Sequence, residues 1–400
     1  MLFYLVDQLQ NRLDQLGLGG LVSIMYQVEF RALFAVLLSF AATLWVAPRT
    51  IRWLAAKKIG DRPEFYNKTI NELMKERVGT PTMGGLFVIG TLLGTTFLLA
   101  DVVHSRYVQL AFVAVLWLAC VGAIDDWLKL TKANRAPGTR EGLYSHEKLA
   151  AQILIGGIVC FFAYRVSGLP DAHVLNLPFQ RTYPPTPAID SMIQPPAIAS
   201  NVWVMGVLAF TALGCFMMVA MSNGANITDG LDGLAGSNLL VASVAVMILA
   251  WVAGSPRAAY FLMVPHVAGS AELMVVAGAM VGSLLGFLWF NAHPAKVFMG
   301  DTGSLPLGGL LAFIAVVIRQ EVLLIPICGV LILEMGSVAL QVGYFKYSRR
   351  KYGEPRRLLR CSPLHHHFQQ LGWKEQHIVT RSMIVSIVLA IIALASIKIR

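Results

Sequence analysis

Ten long apolar segments, separated by polar stretches, form the dominant pattern along this chain. Each segment is long enough to cross about 30 Å of hydrocarbon as a helix that rises about 1.5 Å per residue. Apolar runs of this length predict membrane-spanning helices. We therefore expect an all-α, polytopic integral membrane protein with ten transmembrane helices, forming one domain over residues 1–400. The segments are 30–47, 83–100, 107–124, 149–166, 202–221, 234–253, 272–290, 302–318, 320–345 and 380–398.

The N-terminal residues 1–29 show a different, amphipathic pattern. Apolar side chains recur there at helical spacing and would share one face of a helix. A helix of this kind lies along the membrane interface without crossing it. We expect one short interfacial helix in this segment. Its apolar positions are Leu2, Leu5, Val6, Leu9, Leu13 and Leu16.

The ninth segment, 320–345, is long for a single crossing, since its residues would span about 39 Å as a helix. It contains Pro326 and the carboxyl group of Glu334. Because proline removes a backbone hydrogen bond and kinks helices, we expect the segment to tilt or break. Glu334 either serves function or makes a buried hydrogen bond to a neighbouring helix, and the sequence leaves both open.

Composition excludes a soluble protein. Hydrophobic residues make up 56% of the chain and charged residues 14%, whereas soluble domains carry about 25% charged residues. The five cysteines show no paired spacing, and four of them lie within apolar segments. They are therefore interpreted as small core side chains and not as disulfide partners or zinc ligands.

The distribution of Lys and Arg predicts the orientation in the membrane. Twenty-two of the 32 basic residues lie in alternate loops, those after the odd-numbered segments. Because cytoplasmic loops carry the excess of basic residues, we expect these loops in the cytoplasm and both termini outside. The net charge of +10 then belongs to these loops and does not indicate a nucleic-acid partner. The cytoplasmic loops are 48–82, 125–148, 222–233, 291–301 and 346–379.

A polar turn between the fifth and sixth segments carries the strongest candidate chemistry. Asp229 and Asp232 lie three residues apart, near the amides of Asn223 and Asn226, in a glycine-rich stretch without basic residues. Acids beside a bilayer are costly unless a cation satisfies them, and hard oxygen ligands suit Mg²⁺. The glycines let the backbone approach a phosphate closely. The alternative interpretation is a solvated polar turn.

Two further charged clusters lie on the same predicted side. Adjacent carboxyl groups at Asp125 and Asp126 end the third segment, and Lys129 and Lys148 are candidate phosphate counter-ions. Asp301 is flanked by glycines at the start of a helix, a suitable place for a metal that bridges phosphates. The alternative for the acid pair is a charged boundary with snorkelling lysines.

Three weaker signals accompany the acids. Thr82 offers a hydroxyl within the glycine-rich stretch 77–85, although Gly-Thr-Pro is also ordinary helix-start sequence. Phe298 could stack on a base, although an isolated Phe more often packs. The histidines at 365–367 point in different directions and lack a spaced Cys or His partner, so we favour hydrogen bonds to phosphate or sugar over zinc. Candidate anionic-lipid contacts precede them at Arg356, Arg357 and Arg360.

Acids, cations and a metal-suited environment on one side of a helical bundle together indicate phosphoryl transfer. In this chemistry Mg²⁺ neutralises a diphosphate, cations stabilise the departing phosphate, and the nucleophile is positioned rather than strongly activated. The five acids are Asp125, Asp126, Asp229, Asp232 and Asp301.

Six motifs carry a resemblance that spans nearly the whole chain: Gly79-Thr-Pro-Thr-Met-Gly-Gly85, Asp125-Asp126, Asn226-Ile-Thr-Asp-Gly-Leu-Asp-Gly-Leu234, Phe287-Leu-Trp-Phe-Asn291, Val297-Phe-Met-Gly-Asp301 and Pro363-Leu-His-His-His-Phe368. Together they closely resemble the phospho-N-acetylmuramoyl-pentapeptide transferase family. The resemblance implies a ten-helix enzyme, usually a homodimer, in the bacterial cytoplasmic (inner) membrane. It implies transfer of phospho-MurNAc-pentapeptide from UDP-MurNAc-pentapeptide to undecaprenyl phosphate, which gives UMP and lipid I for peptidoglycan.

The resemblance also implies roles for individual residues. Asp301 matches the principal Mg²⁺ ligand, and Asp229 and Asp126 match further acidic positions, Asp229 also as a metal ligand. Asp125 matches the residue proposed to deprotonate the lipid phosphate or attack the diphosphate. Such a strong base is unnecessary, because a phosphate monoester with a second pKa of about 6 is already mostly dianionic. Asp232, Asn291 and Phe298 match the nucleoside side, and Arg77, Thr82, Lys129, Lys148, Asn226, His365, His366 and His367 match the remaining substrate pocket.

Two positions depart from the family pattern. Arg77 replaces a common Lys, which keeps the charge but changes the geometry. The 127–147 connection is longer than usual, so Lys148 aligns less closely than Lys129. The lipid substrate also requires a groove between helices at the cytoplasmic interface, and we expect the ninth segment to line it.

Two alternatives remain. A UDP-GlcNAc:polyprenyl-phosphate GlcNAc-1-phosphate transferase would keep the mechanism and change the sugar, although the His-His-His stretch and Phe-Met-Gly-Asp favour the muramoyl substrate. An ion-coupled transporter would use its acids for protons or cations. It would place charged residues in mid-membrane, where Glu334 is nearly alone.

Overall fold

Helices form the regular structure of this chain. The computed structural model describes residues 2–15, 17, 19–57, 79–132, 142–184 and 196–397. Within these ranges there is no β-strand, and one isolated bridge pairs Val174 with Val204. In chain order the helices are α1 (Leu2–Gln8), α2 (Gln10–Gln15), α3 (Gly19–Tyr26), α4 (Val28–Ala56), α5 (Gly85–Leu99), α6 (Arg106–Lys132), α7 (Ser145–Val166), α8 (Val207–Thr228), α9 (Leu234–Gly254), α10 (Pro256–Leu262), α11 (Leu273–Asn291), α12 (Asp301–Val317), α13 (Glu321–Ile327), α14 (Gly329–Tyr352), α15 (Leu364–Gln370) and α16 (Glu375–Ser396).

Each of the ten apolar segments contains helix, and the all-α membrane class is confirmed. Among the described residues, seven helical stretches are long and apolar enough to cross a membrane, namely those of α4, α6, α7, α8, α9, α11 and α16. The bent pair α13–α14 makes an eighth if counted as one span, and α5 and α12 are shorter apolar helices. The count of ten spans and the outside placement of both termini stay predictions.

Several helices extend past the ends of the predicted apolar segments. Helices α4, α6, α8 and α14 continue into the predicted cytoplasmic loops, to Ala56, Lys132, Thr228 and Tyr352. The hydropathy pattern marks where apolar side chains stop, but a helix continues wherever its polar residues favour it. Residues in these extensions therefore have fixed helical positions.

The N-terminal segment contains three short helices and not the single interfacial helix that the leucine spacing predicts. Gly17, with φ of +74°, adopts the left-handed conformation between α2 and α3, which stops a continuous helix. The Tyr26 hydroxyl then donates a hydrogen bond to Asp7 Oδ1 at 2.7 Å. This bond ties α3 back onto α1.

The ninth segment breaks, as expected from its length and its proline. Helices α13 and α14 meet at Cys328 with a bend of 81°. Pro326 lies two residues before the break, where its missing N–H and its ring disfavour a continuous helix. The bend directs α14 away from the axis of α13.

Helix α12 lies at the centre of the bundle, and every residue of it is buried. It packs mainly against α6 and α8, while α11 packs against α4 and α9. Glycines permit the closest approaches: a Cβ on Gly122 of α6 would lie 2.2 Å from the Asp301 carbonyl oxygen. These contacts fix the N-terminus of α12 against the C-terminal part of α6.

Candidate active site

Three carboxyl groups meet where the C-terminal part of α6 packs against the start of α12. Asp125 and Asp126 come from α6 and Asp301 is the first residue of α12. One oxygen from each lies within 4.8 Å of the others, and the residues are only 1%, 4% and 7% exposed. Buried carboxylates this close repel one another and require cations or hydrogen-bond donors.

Asp126 caps the central helix. Its Oδ1 accepts a hydrogen bond from the Asp301 backbone N–H at 3.1 Å, and its Oδ2 accepts from Thr302 N–H at 2.9 Å and Thr302 Oγ1 at 2.7 Å. An anionic acceptor at a helix N-terminus satisfies free N–H groups and complements the helix dipole. Asp126 thereby holds Asp301 in place.

Among the described residues, Lys129 and Lys148 supply positive charge to this cluster. Lys148 Nζ lies 2.9 Å from Asp125 Oδ2 and 2.5 Å from Asp301 Oδ2. Lys129 Nζ lies 2.8 Å and 3.3 Å from the same two oxygens. The Lys148 side chain is 17% exposed and that of Lys129 41%. The two ammonium groups therefore bridge Asp125 and Asp301, and Lys148 lies at the centre of the cluster.

The last turn of α8 and the residue that follows it contribute from the other side. Asn226 Nδ2 donates to Asp301 Oδ1 at 2.6 Å and to Ser304 Oγ at 3.0 Å. Asp229 Oδ2 accepts from the Gly300 N–H at 3.1 Å, one residue before Asp301. The sequence analysis missed Ser304. Its position three residues after Asp301 on one helix could have indicated it, because residues at this spacing lie on the same face.

The segment that contains Thr82 pairs with the loop before Asp301. Phe298 N–H donates to the Pro81 carbonyl, and Gly84 N–H donates to the Phe298 carbonyl, both at 2.8 Å. A Cβ on Gly300 would lie 3.2 Å from Thr82 Oγ1, which places this hydroxyl at the edge of the acid cluster. Phe298 is partly exposed beside it. Arg77 lies outside the described residues.

Asp232 belongs to a second cluster. Its Oδ2 lies 3.0 Å from His293 Nδ1 and accepts from Ala295 N–H at 3.1 Å, while its backbone N–H donates to Glu375 Oε1 at 2.7 Å. Asn291 Oδ1 accepts from the N–H of neighbouring Gly233 at 2.9 Å. Sequence reasoning missed His293 and Glu375, because Glu375 is 143 residues from Asp232 and carries no pattern of its own.

The three histidines make separate contacts. His365 Nδ1 lies 3.0 Å from Glu334 Oε2, His366 Nδ1 lies 2.8 Å from Gln369 Oε1, and His367 Nδ1 accepts from the Arg360 N–H at 3.2 Å. His365 and His366 are buried. The intramembrane carboxyl group of Glu334 is thus hydrogen-bonded to a neighbouring helix, which was one of its two open interpretations.

The acid cluster fits a divalent metal ion in its donor chemistry. Asp125, Asp126 and Asp301 offer hard carboxylate oxygens, the ligands that Mg²⁺ prefers. The lysine ammonium groups, which bridge Asp125 and Asp301, show that this position attracts positive charge. Asp229, expected as a second ligand, is not a member of this group of three, and its role as a ligand stays a prediction.

The helical membrane fold and its acid–lysine centre define a phospho-sugar transferase embedded in the membrane. The chain belongs to the family Glycosyl transferase family 4, whose model matches residues 108–319. It is also similar along its whole length to a curated phospho-N-acetylmuramoyl-pentapeptide-transferase from Flavobacterium johnsoniae. The two are 34% identical over 430 aligned residues, covering 100% of each chain.

Proposed function

We propose that this chain transfers phospho-N-acetylmuramoyl-pentapeptide from UDP-MurNAc-pentapeptide to undecaprenyl phosphate, releasing UMP and forming lipid I for peptidoglycan. The full-length similarity to the Flavobacterium enzyme supports the substrates. The observation that carries the chemistry is the meeting of Asp125, Asp126 and Asp301 with Lys129 and Lys148 at one end of the bundle.

The reaction exchanges one phosphoanhydride for another. An oxygen of the lipid phosphate forms a bond to the phosphorus next to the sugar, and the bond from that phosphorus to UMP breaks. The attacking phosphate is already anionic near neutral pH, so the protein's task is to align charged groups and stabilise the departing phosphate. Lys129 and Lys148 can turn from their carboxylates to the phosphates, because lysine stems are flexible.

Asp301 is proposed as the principal Mg²⁺ ligand, with Asp229 as the expected second and Asp125 and Asp126 beside it. When bound, Mg²⁺ supplies charge neutralisation of the diphosphate. Asp125, held between the two ammonium groups, orients the lipid phosphate relative to the lysines. Asp126 keeps Asp301 fixed through the helix cap.

The remaining candidates divide by substrate part. Asp232, Asn291 and Phe298 are proposed to bind the nucleoside, with Phe298 stacking on uracil. Asn226, which contacts Asp301, and Lys148 are proposed to bind phosphate oxygens. The rest of the substrate pocket is assigned to Arg77, Thr82, Lys129, His365, His366 and His367.

The proposed setting is the bacterial inner membrane, with the site on the cytoplasmic face and the enzyme as a homodimer. The lipid phosphate must reach this face while its tail stays in hydrocarbon. The break between α13 and α14 supports a groove for that tail, because a bent span leaves space that a straight packed helix would fill.

Radiolabelled UMP release by the purified protein tests the proposal. We expect release only when UDP-MurNAc-pentapeptide, a polyprenyl phosphate and Mg²⁺ are all present. Release from UDP-GlcNAc in place of the muramoyl substrate would favour the GlcNAc-1-phosphate transferase. Substrate flux into liposomes without UMP release would overturn the enzyme in favour of a transporter.

A further inference from the structure

A buried contact path links the broken span to the acid-bearing turn after α8. It begins at Glu334 on α14, which is 5% exposed, and passes through His365 on α15, which is 1% exposed. Glu334 Oε2 accepts a hydrogen bond from the His365 backbone N–H at 3.2 Å and lies 3.0 Å from His365 Nδ1. A carboxylate oxygen only accepts, so Nδ1 carries the proton and donates.

The other ring nitrogen of His365 faces Gly230. His365 Nε2 is buried and has no hydrogen-bond partner among the described residues. A Cβ built on Gly230 would lie only 2.3 Å from this nitrogen, so the imidazole edge packs directly against the turn backbone. Gly230 follows Asp229, whose carboxylate accepts from Gly300 N–H beside Asp301. The imidazole therefore lies behind the turn that faces the acid cluster.

Glu334 is the anchor that fixes this imidazole. Helix α15 has only seven residues, and a helix this short does not hold its own position in isolation. Glu334 gives it two hydrogen bonds at one residue, one to the backbone and one to the ring. Both nitrogens of the ring would lack a partner without Glu334, and the ring would be free to rotate away from Gly230.

We propose that Glu334 is a positioning residue: through His365 it fixes the turn at Asp229–Gly230 and so sets the alignment of Asp229 with Asp301. The assignment rests on the proposed transferase function. It gives the Glu334 carboxyl group, on the second helix of the broken span, a purpose that is separate from metal binding and from contact with substrate.

Variants at Glu334 test the proposal by UMP release. Glu334→Leu, of similar size but unable to accept a hydrogen bond, is expected to lower kcat at least tenfold and to raise the KM of either substrate by a smaller factor. Glu334→Gln keeps an acceptor oxygen and is expected to retain at least a third of kcat. Because Glu334 acts through His365, Glu334→Leu combined with His365→Ala is expected to be no slower than His365→Ala alone.

Gln341→Leu is the matched control. Gln341 also lies on α14, seven residues after Glu334, and its Oε1 accepts hydrogen bonds from the Leu358 and Leu359 N–H groups in the connection between α14 and α15. We expect kcat within twofold of wild type for this variant. A similar loss in Gln341→Leu and Glu334→Leu, a Glu334→Leu kcat within twofold of wild type, or multiplying losses in the double variant would overturn the positioning role.

A second measurement needs no activity. In ¹⁵N-histidine-labelled wild type without substrates, the His365 imidazole, identified by its loss in His365→Ala, is expected to show a protonated Nδ1 and a bare Nε2. The opposite tautomer would overturn the proposal even if Glu334→Leu does not fold. Wild-type protein that releases no UMP would refute the proposed function, while this spectrum would still report on the contact.

Discussion

At the scale of residues, the site compensates the negative charges of three buried carboxyl groups with ammonium groups and hydrogen-bond donors. Asp125 and Asp301 share the ammonium groups of Lys129 and Lys148, while Asp126 accepts three donors at the start of α12. Removing one member of such a buried network leaves the charge of its partner uncompensated. For a buried ion pair this lowers the free energy of unfolding by about 3–5 kcal/mol. Function and stability are therefore tested together at each of these positions.

We predict that Asp301→Ala and Asp125→Asn each abolish turnover while the protein still folds. Asp301→Ala would remove the proposed principal Mg²⁺ ligand, and Asp125→Asn would remove the negative charge that holds the two lysines. UMP release measures turnover, and size-exclusion chromatography with thermal unfolding measures folding. Near-normal release from either well-folded variant would refute its assigned role.

Lys148 and Lys129 are expected to differ in importance. Lys148 lies closer to Asp301 and is less exposed than Lys129, so water replaces its charge less well. We expect Lys148→Met to lower kcat at least 100-fold and Lys129→Met to lower it less, with steady-state UMP release as the measurement. An equal or greater loss in Lys129→Met would contradict this order.

At the scale of elements, glycines decide how closely the helices carrying the acids approach. Gly85 at the start of α5 faces Gly303 on α12, and a Cβ there would lie 2.1 Å from the Gly303 nitrogen. A Cβ on Gly90, further along α5, would have no atom within 4 Å. The two glycines of one helix therefore differ in what a methyl group would meet.

We predict that Gly85→Ala destabilises the protein by about 1–3 kcal/mol, through overpacking against a buried backbone. The matched variant Gly90→Ala is expected to change stability by no more than about 1 kcal/mol, since Ala is the better helix former. Thermal unfolding in one detergent measures both. Equal melting temperatures for the two variants would show that the close approach is not constrained.

His173, in the 3-10 turn Pro170–His173 outside the membrane spans, is expected to make the stability of the protein depend on pH. Burial lowers the pKa of His173 below its usual value of 6.5, the charge of Arg319 lowers it further, and a hydrogen bond to the Tyr164 carbonyl opposes the shift. Because the folded pKa is the lower one, the unfolded chain binds more protons as pH falls through 6.5, and stability falls with it.

We therefore expect the melting temperature to drop between pH 7.5 and pH 5.5, and to drop less in His173→Gln. His104, whose side chain is 65% exposed, provides the control, and His104→Gln is expected to keep the wild-type pH dependence. An unchanged pH dependence in His173→Gln would assign the effect to other groups, such as His266, whose pKa burial also lowers.

At the scale of the whole molecule, the acid cluster lies at one side of the helical bundle. The acids lie in the C-terminal part of α6, just after α8 and at the start of α12, and Lys148 lies at the start of α7. These helices therefore bring polar residues together at one side of the bundle. The basic loops predict that this side is cytoplasmic. The orientation of the chain in the membrane therefore decides whether the site can reach the proposed sugar-nucleotide substrate in the cytoplasm.

Membrane-impermeant thiol labelling tests that orientation. In a chain with its native cysteines replaced, we expect His104→Cys to be labelled on intact cells and Glu354→Cys only after permeabilisation. Both positions are exposed in the structure, and each follows a helix end on its own side. The reverse pattern would invert the predicted topology and place the site outside.

The sequence alone determined the class of protein and the positions of the apolar segments, because membrane insertion depends on local composition. It also marked the ninth segment as one that tilts or breaks, because proline acts on its own helix. It also supplied the residue types for phosphoryl transfer. Which acids meet was decided by tertiary structure. Asp126 and Thr302 are 176 residues apart, and only the packing of α6 on α12 through Gly122 brings them together. The partners of Asp232 and the contact between Glu334 and His365 were hidden for the same physical reason: hydropathy records how deep a side chain lies, but not which neighbour it faces.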